Sequence, residues 1–132
     1  MATLPDKAKA WIDDHEFATI ATIQPDGQPQ LSVVWLERAG DDLLVSTVKG
    51  RRKHLNIERD PRVTLLVYPR EQPYNYVEVR GTATMTEEGG RELIDRLNNA
   101  YHQGAGRYTG DDGTDNVRVV LRITPHRVVL RG

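Results

Sequence analysis

Leu43-Leu44-Val45-Ser46-Thr47-Val48-Lys49-Gly50-Arg51-Arg52-Lys53-His54-Leu55-Asn56-Ile57-Glu58-Arg59-Asp60-Pro61 is the stretch on which the fold turns. Residues 43–47 are β-formers and read as a strand. The composition then changes abruptly to a basic, polar run that fits a helix over 50–59. Pro61 ends it, because the proline ring disfavours the helical conformation in the residue before it. Four cations, Lys49, Arg51, Arg52 and Lys53, fall within five positions at the strand-to-helix junction. That placement runs against the helix dipole. The first turn already carries roughly half a positive charge from its unpaired N–H groups, so each cation there costs a few tenths to about 1 kcal/mol. A bound phosphate would compensate. Free N–H groups at a helix start bind it, Gly50 lets the backbone approach, and Arg and Lys supply charge-assisted hydrogen bonds. Ser46 and Thr47 add hydroxyl donors at the strand end. A solvated charged turn explains the same run, and on these residues alone the two readings stand level.

Working outward, the residues before this stretch predict a short helix over 5–14. Pro5 and Asp6 form its first turn, and Ala8, Ala10, Trp11 and Ile12 give a partial apolar stripe. Residues 17–23 and 30–37 read as a hairpin reversed at Pro25-Asp26-Gly27, and Ala39-Gly40-Asp41 turns into the strand at 43. After Pro61, strands are expected over 62–68 and 74–85, separated by the polar loop Pro69-Arg70-Glu71-Gln72-Pro73. In the second of these, Val77 and Val79 alternate with Glu78 and Arg80, as in a half-solvated antiparallel strand. Leu93, Ile94, Leu97 and Tyr101 share one face of a helix over 88–101. Residues 102–116 hold four glycines and three aspartates without periodicity and read as a long loop, a lid or an excursion. Val117, Val119, Leu121 and Ile123 alternate with Arg118 and Arg122, and Pro125 is expected to separate this strand from a last short one. Six or seven strands joined by tight turns, with two or three appended helices, predict a mainly β, antiparallel barrel. A chain of 132 residues buries one core, so residues 1–132 are expected to form a single domain.

Eighteen Lys and Arg against nineteen Asp and Glu leave a formal charge of −1, so no overall field draws the chain to nucleic acid or to an anionic membrane. Any anion site must be local. The basic run also lacks the interleaved aromatic residues of a single-strand nucleic-acid platform. There is no cysteine, hence no thiolate nucleophile and no Cys-type zinc site. The absence of a long apolar run predicts a soluble, cytoplasmic protein. His15, His54, His102 and His126 are scattered without metal-ligand spacing, so no metal is expected, and His54 reads as a helix-surface residue. No nucleophile elbow is present. Gly104-Ala105-Gly106 follows a helix rather than a strand and is no dinucleotide loop. Asp111, Asp112 and Asp115 read as a solvated turn. Trp35, Tyr74 and Tyr76 are candidates for the wall of a planar ligand or for ordinary barrel packing.

Three segments together carry a family resemblance: 17–35, FATIATIQPDGQPQLSVVW; 43–67, with its KGRRKHLNIERDPR block; and 76–85, YVEVRGTATM. The chain resembles the pyridoxamine 5'-phosphate oxidase-like split β-barrel family, in particular its small flavin- or deazaflavin-dependent oxidoreductases. The resemblance covers residues 8–131 and implies a homodimer with two cofactor sites at the interface. On the matching positions it implies a phosphate contact at Ser46, Thr47, Arg51 and Lys53, with Lys49 and Arg52 inside the same block and Gly50, read above as admitting the phosphate to the backbone, among the candidate cofactor-binding residues. Gln30, Ser32, Val33 and Val34 fall on the strand flanking the cofactor ring, and Tyr76 on an aromatic position near it. Asn56 falls on a recurrent position that fits a structural bond as well as a ligand role. The chain ends at Val128-Val129-Leu130-Arg131-Gly132, without the Arg-x-x-x-Arg-type region of the vitamin B6 oxidases. The short GRRKH form is more similar to the branch using the deazaflavin coenzyme F420, with FMN as the alternative. The resemblance thus implies hydride transfer between reduced F420 and a small unsaturated or quinone-like substrate. A non-catalytic flavin or deazaflavin carrier, and a cofactor-free dimer with a solvated basic turn, are the alternative readings.

Overall fold

The structure, a computed structural model, describes residues 2–132. In chain order the elements are α1 (Asp6–Asp13), β1 (Ala18–Ile23), β2 (Pro29–Val34), β3 (Glu37–Ala39), β4 (Asp42–Val48), α2 (Arg52–Arg59), β5 (Arg62–Val67), β6 (Tyr76–Thr86), α3 (Gly90–Tyr101) and β7 (Arg118–Arg131). The seven strands form one antiparallel sheet in the order β2-β1-β5-β6-β7-β4-β3. Its two ends, β2 and β3, do not pair with each other. The sheet curls without closing, so the barrel is split, as the resemblance implies and as tight turns alone did not indicate.

Alternation along the strands puts one face of the sheet inside. Ala18 and Ile20, Leu43 and Val45, Leu65 and Val67, Val77 and Val79, and Leu121 and Ile123 are all fully buried and form one core, to which α1 adds Ala8 and Ile12. The α3 residues Leu93, Ile94 and Leu97 are buried too but lie outside that cluster, since α3 packs on β4 and β7 from the other side.

Two strands differ from expectation. The expected strand over 30–37 is divided: β2 stops at Val34, Trp35 and Leu36 leave the ladder, and β3 resumes at Glu37. Pro125 does not end β7, which runs unbroken from Arg118 to Arg131. Arg80 pairs with Arg127 and Gly81 with Pro125, so His126 is the extra residue of a bulge that admits the proline into a long strand. Gly81 is required there, because a Cβ on it would lie 2.3 Å from the Thr124 carbonyl oxygen.

The short β3 sets the position of the opening. It pairs only with Asp42–Leu44, so the rest of β4, from Val45 onward, has β7 on one side and no strand on the other. Facing that stretch across the gap is β2, the opposite edge of the sheet. The N-terminal end of α2, which follows β4 directly, lies at the same opening.

Candidate functional site

A cavity of about 240 Å³ occupies the split. Its walls are Val33, Val34 and Trp35 at the end of β2, Ser46 on β4, Arg51 and Lys53 at the start of α2, Ile94 and Leu97 on α3, Tyr108 from the 102–116 loop, and Arg118 at the start of β7. It has a cationic end and an apolar, aromatic one.

The cationic end follows from the geometry of the turn. Gly50 has a φ of +89°, a conformation favouring glycine, and nothing in the chain lies within 4 Å of where its Cβ would be. The backbone conformation therefore demands the glycine, whereas the sequence suggested a close approach. Arg51 then caps α2 with no side-chain bond of its own. The Gly50 N–H donates to His54 Nδ1 at 3.1 Å, and His54, only 7% exposed, lies under the turn rather than on the helix surface. Lys53 donates to Ser32 Oγ at 2.7 Å, which ties α2 to the edge strand β2. Burial, and after it the charge of Arg51, hold the Lys53 ammonium below its ordinary pKa of 10.5. Among the described residues no carboxylate forms an ion pair with Arg51 or Lys53.

The basic run fans out instead of acting as a unit. Lys49 turns to another face, where its Nζ meets Glu87 Oε2 at 2.9 Å beside His54, Glu58 and Met85. Arg52 borders a shallow depression with Gln24, Pro25 and Asp26. Thr47 is buried on the same face of β4 as Leu43 and Val45, so of the two hydroxyls only Ser46 lines the cavity. Gln30 lies beneath α2 in a buried polar chain: Asn56 Nδ2 donates to Thr22 Oγ1 at 3.0 Å, and Thr22 donates to Gln30 Oε1 at 3.0 Å. Asn56, wholly buried, thus makes a structural bond, with its Oδ1 left unpartnered. Tyr76 opens β6 opposite Arg131, and Tyr74 stands exposed in the preceding loop; neither lines the cavity.

The aromatic end is braced from outside. Trp35 stacks on Tyr101, with centroids 5.5 Å apart and planes 17° from parallel, while His102 and Tyr108 approach its edge. The Tyr101 hydroxyl donates to the Glu16 carbonyl at 2.8 Å and accepts from the Leu36 N–H at 3.2 Å. Burial pushes its pKa up to about 12, so it remains a neutral structural group.

Sequence reading missed Arg118 and its partner. The 102–116 loop is no free excursion, and Asp111 does not sit in a solvated turn: it is 9% exposed. Its carboxylate accepts from Arg118 Nε at 2.7 Å and Nη2 at 3.0 Å, from Arg91 Nη1 at 3.2 Å and from Asn116 Nδ2 at 2.9 Å. The Arg118 guanidinium, foremost among these, holds the Asp111 pKa down at about 2. Arg91 also binds Asp95 and the Tyr108 carbonyl, while Asp95 accepts from the Tyr108 N–H. Tyr108 is thereby fixed with its ring 5.0 Å from the Arg118 guanidinium carbon. The alternation of 117–123 could have placed Arg118 on the Ser46 side of the sheet; nothing in the aperiodic loop announced Asp111.

Comparison with known proteins agrees with this geometry. The sequence pattern of the pyridoxamine 5'-phosphate oxidase family matches residues 4–132. A solved structure named F420 reductase is 26% identical, with 96% of this chain and 98% of that one covered at a TM-score of 0.82. A conserved hypothetical protein from Mycobacterium tuberculosis is likewise 26% identical, over 97% of this chain and 84% of that one, at 0.72. A putative pyridoxamine 5'-phosphate oxidase from Listeria innocua shares the fold at 20% identity, over 95% of each chain, at 0.73. The split sheet, the cavity at its opening and the match over almost the whole length together establish that the chain belongs to the pyridoxamine 5'-phosphate oxidase family.

Proposed function

We propose that the chain is an oxidoreductase that holds the phosphate of a deazaflavin coenzyme, F420, at Arg51 and Lys53. It would transfer a hydride between that coenzyme and a small unsaturated or quinone-like organic molecule. One observation carries the reading: two cations without carboxylate partners share a cavity with an aromatic wall. Lys53, half-buried without a counter-ion, carries a desolvation cost that an anionic ligand removes, and Arg51, exposed beside it, adds a second free charge. The donor set fits a phosphate. Arg51 offers a planar fork, Lys53 keeps two N–H donors beyond the one given to Ser32, and the Ser46 hydroxyl stands beside them.

A bound reduced coenzyme supplies the hydride; the residues of the chain bind it, orient it and exclude water. Lys53 and Arg51 anchor one end. Trp35, held flat by Tyr101, offers a surface that a planar ring can lie against, and Tyr108, held by Asp95 and Arg91 and nearly perpendicular to it, bounds that space at one side. Val33 lines the same cavity yet is 65% exposed, and its neighbour Leu31, pointing the same way, is 62% exposed. With Ala21 and Leu66 they form an outward apolar face on β2, β1 and β5, which a second copy would cover while completing the site. On this reading the chain works as a homodimer with the cofactor at its interface, in the cytoplasm. No helix among the described residues is long and apolar enough to cross a membrane.

The F420 reductase similarity supports the deazaflavin. The pairing of Lys49 with Glu87 favours FMN as the second reading, because it removes one cation from those that could meet a longer anionic tail. The test is fluorescence titration of the apo-protein with F420 and with FMN, followed by absorbance of the reduced coenzyme in the presence of quinones and nitro-compounds. Binding of FMN alone replaces the coenzyme, binding without turnover leaves a carrier, and no binding of either sinks the proposal.

A further inference from the structure

We infer that Arg118 is a third ligand-binding residue of the cavity and recognises not the phosphate but an uncharged carbonyl oxygen on the ring of the bound coenzyme. The inference rests on the function proposed above and adds to it the residue that reads the ring.

Three observations lead there. First, Arg118 is a cavity residue whose direction is fixed. Nε and Nη2 are taken by the two oxygens of Asp111, which does not line the cavity, so the remaining nitrogen, Nη1, is the end turned toward it. Second, Nη1 is under-used. Its one partner is Ser46 Oγ at 3.4 Å, a long contact, and a terminal guanidinium nitrogen carries two N–H groups. Third, its charge is matched. Asp111 compensates Arg118 within the fold, whereas Arg51 and Lys53 have no such partner. The two groups therefore suit different acceptors. Uncompensated cations suit a phosphate, and a neutralised, rigid N–H donor suits a neutral acceptor, for which a free positive charge gives no advantage.

Placement agrees. Arg118 stands at the boundary between Ser46 and the ring of Tyr108, and so between the cationic end of the cavity and its aromatic end. A planar ring lying on Trp35 would share the cavity with Nη1, and flavins and deazaflavins both carry carbonyls on a ring edge that such a donor could meet. Asp111 is then a positioning residue: it holds the fork in one plane, so little side-chain freedom is lost when the ligand arrives.

The experiment titrates wild type, Arg118→Lys, Arg118→Met and Lys53→Met with F420, with FMN and with inorganic phosphate as competitor. Thermal unfolding identifies the folded variants. Arg118→Lys retains a cation for Asp111, so it decides the matter if the methionine variant does not fold. The expected result for the Arg118 variants is coenzyme affinity weakened about tenfold, with the phosphate competition constant within about twofold of wild type, and for Lys53→Met a loss of both. Unchanged coenzyme affinity in a folded Arg118 variant overturns the inference and leaves the proposed function intact. Parallel loss of phosphate affinity overturns it too, by making Arg118 an anion ligand. If the wild type binds neither coenzyme, the proposed function fails and the inference falls with it.

Discussion

The two cationic walls of the cavity are built on opposite plans. On the α2 side, Arg51 and Lys53 are held by the backbone turn and one serine, with no acidic partner. On the β7 side, Arg118 is locked by a buried carboxylate that Arg91 and Asn116 also share. The first arrangement leaves charge available to a ligand at some expense of stability. The second uses charge to tie a loop, a helix and a strand together. A basic residue at a cavity wall is thus informative only once its counter-ion is known.

Removing the carboxylate attacks the second plan and has the largest expected effect. Asp111→Asn leaves Arg118, almost wholly buried, without its charge partner, and stability should drop by about 3 kcal/mol, read as a lower denaturant midpoint. The acid limb should change with it. The folded-state pKa of Asp111 is depressed, so its contribution is fully present above the ordinary carboxylate value of 3.8 and is lost as pH falls toward about 2. The variant's stability should accordingly be flatter over that interval.

The first plan predicts the opposite sign. Arg51→Met or Lys53→Met should weaken binding of the phosphate-bearing coenzyme by about 1.5–3 kcal/mol for each charged hydrogen bond lost. The melting temperature of the ligand-free protein should stay level or rise. A fall like that of Asp111→Asn would show that these cations are scaffold after all, and the contrast between the walls would collapse.

Alkaline titration sharpens the contrast with a smaller effect. Because the pKa of Lys53 lies below 10.5 in the free protein, a bound anion should raise it and binding should take up protons. Coenzyme affinity should decline as pH rises through that depressed value, while Lys53→Arg should abolish the decline. In the free protein the sign reverses: deprotonating Lys53 relieves a buried charge, so its contribution to stability improves over the same interval. The smallest effect belongs to Lys49→Met. With its ammonium engaged by Glu87 at the surface, coenzyme affinity should stay within about twofold of wild type.

The parts of the fold visible in the sequence were those written in short periods. Val77 and Val79, or Leu121 and Ile123, announce strands at a period of two, and Leu93, Ile94 and Leu97 a helix near 3.6. Pro125 misled because the bulge that accommodates it needs Gly81, some forty residues away, and no local rule couples the two. The site divides similarly. The strand, glycine and basic run located Arg51 and Lys53 because a helix start is a local feature. The separation of Lys49 and Arg52 from them was hidden, since it depends on Glu87 and on the 24–26 turn. Asp111 was hidden more completely, because an aspartate among glycines looks the same whether water or two arginines surround it.

The three-residue β3 has a consequence for how this architecture can change. Strand edges join readily, and each residue inserted ahead of Glu37, in the link from β2, would extend β3 alongside Val45 and Ser46 by one step of ladder. A few such steps would zip the barrel shut, giving a sturdier protein with no room between Val33 and Ser46. Length variation in the link between β2 and β3 is therefore a dial between a receptor and an inert barrel, and relatives with a longer link should have lost their ligand before losing any of its contacts.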